Sequence, residues 1–194
     1  MRADPEFKFV LDQTCYIGPF LEAHPEERPF VEQMIAAGRL EITCGMYAMP
    51  DVNIPSGESF IRQVLSGKGW CEENLGVEVR CGWLLDTFGQ HPQIPQLMRK
   101  CGFDHNVFQR LGTFDGPTEY WWQGLDGTRL FCHWMRSTYC VLYPAPGNLP
   151  EFKKFADLRL EQLKKHALTP HLRAVSGADL THVQPHVTQL FAEY

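Results

Sequence analysis

Short apolar runs alternate with longer segments of helical period from one end of the chain to the other. That rhythm limits the fold to a mostly parallel sheet covered by helices, an α/β architecture either open or curved into a barrel. Strands are expected at residues 7–11, 40–44, 79–85, 107–109 and 172–175. Helices are expected at 25–37, where Gly38 stops the period, and at 58–74, 94–100, 149–166 and 185–191. Within 58–74, Phe60, Ile61, Val64 and Leu65 fall along one face, and Gly67 and Gly69 weaken the second half. Residues 119–122 and 130–135 flank Asp126-Gly127 and read as two strands meeting at a turn. No repeat or low-complexity tract interrupts the order, and 194 residues suit one domain.

Charge and cysteine usage narrow the partners. Eighteen Lys and Arg against 23 Asp and Glu leave a formal charge of −5 without a basic run, which argues against a nucleic-acid groove or an anionic membrane surface. The seven cysteines are odd in number and never form a Cys-x-x-Cys pair, so neither a disulfide framework nor a thiolate zinc knuckle is expected. This usage predicts a reducing, cytoplasmic setting. Residues 1–6 hold no apolar core followed by a cleavage site, and no apolar stretch is long enough to span a bilayer, so neither an export signal nor a membrane crossing is expected.

In folds of this class the chemistry sits at the carboxyl ends of the strands. That filter selects Asp51, Asp86 with His91, Gln109 with Arg110, His133 with Tyr139, and Asp179 with His182. Trp83-Leu84-Leu85-Asp86-Thr87-Phe88-Gly89 holds a carboxylate at the end of an apolar strand, where it serves as a metal ligand, a covalent nucleophile or a cap of the following turn. Ser176-Gly177-Ala178-Asp179 repeats the arrangement, with helix capping again the rival role. Two carboxylates converging from different strand ends are the minimum equipment for glycoside hydrolysis. His133, in an aromatic run, reads as a core histidine. His182 and His186 have metal-pair spacing on a helix, but Pro185 lies between them. The aromatic residues Tyr120, Trp121, Trp122, Trp134 and Tyr139 read mostly as core, with a few free to stack on sugar rings. Nucleotide, esterase and metalloprotease signatures are absent.

The stretches Gly38-Arg39-Leu40-Glu41-Ile42, Pro50-Asp51-Val52-Asn53-Ile54-Pro55-Ser56-Gly57-Glu58-Ser59 with Arg62-Gln63, and Gly82-Trp83-Leu84-Leu85-Asp86-Thr87-Phe88-Gly89 with Pro95 and Gly102 stand in a distinctive order. Gln109-Arg110 and Ser176-Gly177-Ala178-Asp179 follow. Together they resemble glycoside hydrolase family 38, the zinc-dependent retaining alpha-mannosidases. The resemblance implies a β/α barrel forming the N-terminal catalytic domain of a larger enzyme, acting on alpha-mannoside glycans. It makes Asp86 both zinc ligand and nucleophile and Asp179 the acid/base, and it matches Phe88 and Arg110 to positions that wall the site; Tyr139 and Asp51 are expected beside them as substrate-binding residues. The family's early His-x-Asp is missing, since His24 is followed by Pro25-Glu26, and so is its later His-His-Asp-type motif. The expectation is therefore a barrel incomplete at both ends that keeps one zinc ligand of the set. Two rivals remain: a non-catalytic remnant that binds sugar weakly, and a metal-dependent polysaccharide deacetylase-like barrel.

Overall fold

The computed structural model describes residues 1–111 and 115–194. Strand β1 (Phe9–Gln13) leads into helix α1 (Thr14–Ala23), and after a 3-10 turn at Pro25–Glu27 come α2 (Arg28–Ala36), β2 (Leu40–Met46) and α3 (Gly57–Leu75). Then follow β3 (Cys81–Leu84), α4 (Ile94–Lys100), β4 (His105–Phe108), β5 (Glu119–Gln123), β6 (Arg129–Trp134), α5 (Leu149–Lys164) and α6 (Val187–Glu193). β1 and β2 pair in parallel, Phe9 opposite Leu40. A second sheet runs β3-β4-β6-β5, parallel except for the β5–β6 hairpin. The turn at Asp126-Gly127 is the expected one, with Gly127 at φ 83°.

The strands do not close into a barrel. β2 lies beside β3, but among the described residues no ladder joins the two sheets. The expected strand at 172–175 is irregular and joins neither sheet among the described residues. The Leu142 amide donates to the Val175 carbonyl at 2.9 Å. Helix α1 is not among the elements expected from the sequence, and it contains Gly18-Pro19, a pair that favours turns. Its buried face, Thr14, Ile17, Gly18 and Leu21, holds it against the core, with Gly18 under the Trp70 ring. The helix expected over 25–37 begins at Arg28 because the Pro29 ring cannot follow a helical carbonyl four residues back. Likewise the last helix starts at Val187, beyond Pro185.

Helix α3 corrects the expectation about its glycines. Ser56 caps it by accepting from the Ser59 amide at 3.2 Å, and Gly76 ends it at φ 64°. The helix runs unbroken through Gly67, where a Cβ would stand 2.4 Å from the Met46 carbonyl carbon and 2.5 Å from the Gly45 oxygen. Glycine here is what lets helix backbone rest on strand backbone. Below that contact β2 bulges, with Cys44 and Gly45 in the left-handed region and the register to β1 slipping before Met46. The main core surrounds Phe60, Phe103, Phe108, Leu84 and Met98. A second cluster packs Val141, Leu142, Phe152, Ala156, Val187 and Leu190 between α5 and α6.

Candidate active site

β3 ends at Leu84, and the chain turns outward through Leu85 to Asp86. Asp86 Oδ1 accepts a 2.6 Å hydrogen bond from Arg110 Nε and a second from Nη2 of the same guanidinium. Arg110 stands just beyond β4, the parallel neighbour of β3, so the ladder brings the two ends together. The guanidinium also lies over the Phe88 ring, 4.4 Å from its centroid, and the hydrogen bond to Asp86 raises its pKa. A fork bound to a carboxylate and stacked on an aromatic face is fixed in both direction and plane.

The loop after β3 is braced from the other sheet. Asp51 Oδ1 accepts from the Phe88 amide at 2.9 Å, and Asn53 Nδ2 donates to the Phe88 carbonyl at 3.5 Å. Gly89 sits at φ 77°, and a Cβ there would stand 2.5 Å from Asn53 Nδ2. The nearest assigned work of Asp51 is thus to hold the loop that carries Asp86 and Phe88.

Asp179 reaches the same place without the strand that was expected to carry it. Tyr139 donates to Asp179 Oδ2 at 2.5 Å. That hydrogen bond, then burial, then the charges of Asp179 and Asp86 push the Tyr139 phenol up to about 12. Tyr139 therefore bonds one of the carboxylates selected from the sequence and feels the charge of the other. The segment bearing Asp179 is tied to the turn after Tyr139: Ser176 Oγ donates to the Leu142 carbonyl at 3.4 Å, and Gln184 exchanges bonds of 2.8 and 3.1 Å with the Ala145 backbone. Asp179 caps no helix, since α6 begins eight residues later.

One carboxylate the sequence reading passed over joins them. Asp12, the penultimate residue of β1, lines a cavity of about 840 Å³ together with Tyr139 and Asp179. It meets the same strand-end filter that selected Asp86, so the signal was present. His133 behaves as a core residue, with burial and then Arg173 depressing its pKa to about 4. His91 Nδ1 accepts from the Gln93 amide, and Gln109 offers its carbonyl to Trp134 Nε1 at 2.6 Å.

Residues 1–193 match the family described as Glycosyl hydrolases family 38 N-terminal domain. The chain belongs to glycosyl hydrolase family 38. It is 30% identical over 147 residues to Alpha-mannosidase 2 of Mus musculus, covering 70% of this chain and 13% of that protein. It is 36% identical over 135 residues to Alpha-mannosidase of Saccharomyces cerevisiae, covering 66% of this chain and 12% of that one. A crystal structure of an alpha-mannosidase from Enterococcus faecalis superposes with a TM-score of 0.89 at 29% identity, over 99% of this chain and 22% of the other. The family 38 chain thus spans roughly an eighth of the length of these curated relatives.

The zinc ion implied by the family resemblance does not fit the donors present. Among the described residues no group of three or more His, Cys, Asp or Glu side chains is placed to hold a metal, and Asp86 Oδ1 is committed to Arg110. One carboxylate is too few for a zinc site. The His182 and His186 pair fares no better, because both precede α6 and never share a helical face. The helix-borne histidine pair that a deacetylase would need is therefore not formed.

Proposed function

We propose that this family 38 chain carries the carboxylate pair of a retaining alpha-mannosidase, with Asp86 as nucleophile and Asp179 as acid/base. The observation that supports this best is Tyr139, hydrogen-bonded to Asp179 and within the field of Asp86. Asp86 attacks the anomeric carbon as the bond to the aglycone oxygen breaks, and Asp179 delivers its proton to that oxygen. Water then attacks the glycosyl ester while Asp179 takes a proton back. Arg110 orients Asp86 by bonding Oδ1, leaving Oδ2 to attack, and Tyr139 fixes the orientation of Asp179. Phe88 offers an exposed ring beside this pair for the sugar. On this reading the chain is part of a longer enzyme.

The test is hydrolysis of a chromogenic alpha-mannoside by this chain and by a version extended at both ends, each with zinc in the buffer. Asp86→Asn should abolish turnover. Asp179→Asn should slow poor leaving groups far more than activated aryl ones, and mass spectrometry should find a hexosyl ester on the Asp86 peptide. An extended enzyme fully active as Asp86→Asn would sink the assignment. The competing reading, a non-catalytic sugar-binding remnant, is favoured if the extended form binds mannosides and never turns them over.

A further inference from the structure

Asp12 is the carboxylate that this account leaves without a task. It stands one residue before the end of β1, half-buried, in the wall of the cavity that holds Tyr139 and Asp179. The side-chain amide of the adjacent Gln13 donates to it at 3.4 Å, a long and weak contact. Gln13 is itself oriented elsewhere, because its Oε1 accepts from the Met49 amide at 2.8 Å. A carboxylate has about four acceptor positions, and one drawn partly out of water pays for those it leaves unfilled. The cavity is what remains to supply donors. Trp83 and Leu85 line the same wall, placing apolar surface beside an acceptor, the pairing that suits a sugar with its C–H faces and hydroxyl rim.

We infer that Asp12 is a substrate-binding residue of this cleft, accepting hydrogen bonds from hydroxyls of the bound mannoside. The inference rests on the glycosidase reading and adds to it a specificity-determining group in the cavity that Tyr139 and Asp179 line. The electrostatics agree: burial, and after it the charge of Asp179, raises the Asp12 pKa, so neutral hydroxyl donors relieve this group.

Binding of methyl alpha-mannoside and its monodeoxy analogues to the 194-residue chain, followed by NMR titration, tests this without requiring turnover. Asp12→Asn should weaken the parent sugar about tenfold, the scale of one hydroxyl bond to a charged acceptor. One deoxy analogue should bind the wild-type chain about tenfold more weakly and lose nothing further in Asp12→Asn, which a merely structural role would not produce. Asp12→Glu should recover part of the affinity. Equal binding by wild type and Asp12→Asn overturns the inference and leaves the Asp86 and Asp179 assignment standing. Should Asp12→Asn fail to fold, uniform loss across all deoxy analogues on the wild-type chain overturns it instead. Failure of the glycosidase reading shows separately, as an extended chain that does not hydrolyse.

Discussion

Arg110 is asked to do two things at once, bond Asp86 through a fork and lie flat on Phe88, and only a guanidinium can do both. Arg110→Lys should therefore lower kcat/KM of the extended enzyme by at least about tenfold, since a point charge loses the fork and the stack together. Steady-state kinetics showing less than a twofold change would contradict that role. Tyr139 gives a prediction that needs no activity. Its phenol, held up at about 12 chiefly by Asp179, should fall toward the ordinary 10.0 in Asp179→Asn. The absorbance titration of that variant, referenced to Tyr139→Phe, reads the shift directly, and an unmoved phenol would mean that the bond is not formed in solution. Asp86, Arg110 and Asp179 stand out in the sequence because each follows an apolar run, although the run before Asp179 forms no strand. The Asp51 brace was not, since nothing in the order of residues says that a carboxylate will bind an amide 37 positions away.

At the scale of elements, α3 and β2 meet at Gly67 with no room for a methyl group. Gly67→Ala removes a helix-weakening residue, a gain of about 1 kcal/mol, yet forces backbone apart at a cost of about 1–3 kcal/mol or more, so net destabilisation is expected. Urea melts decide the sign, and a more stable variant would refute the close approach. Ser56→Ala, which removes the cap on the Ser59 amide, should cost about 1 kcal/mol. Periodicity revealed α3, α4 and α5 and most strands, whose patterns are strong. It did not reveal α1, which contains a Gly-Pro pair and whose Gly18 lies under Trp70. It also invented a strand at 172–175, because apolar runs announce burial and not strand pairing.

For the molecule as a whole, His133 sets part of the response to acid. Its folded pKa of about 4 lies below the ordinary 6.5, so the unfolded chain takes the proton first. The resulting stability is complete above pH 6.5 and is lost as the pH falls toward 4. Denaturation at pH 7 and at pH 4.5 should show that loss, and His133→Gln should flatten it; parallel curves for the two proteins would rule His133 out. The two hydrophobic clusters bear on the site in another way. Asp12, Asp51, Asp86 and Arg110 stand on the elements around the main core, whereas Ser176 and Gln184, on either side of Asp179, are fastened to Leu142 and Ala145 of the smaller one. The cleft is thus a seam, and the bond from Tyr139 to Asp179 is a stitch across it. If the smaller cluster opens on its own, one carboxylate leaves with it while the other stays. A mannoside gripped from both sides would then act as a fastener, slowing proteolytic cuts in residues 140–194 while leaving cuts near the amino terminus unchanged.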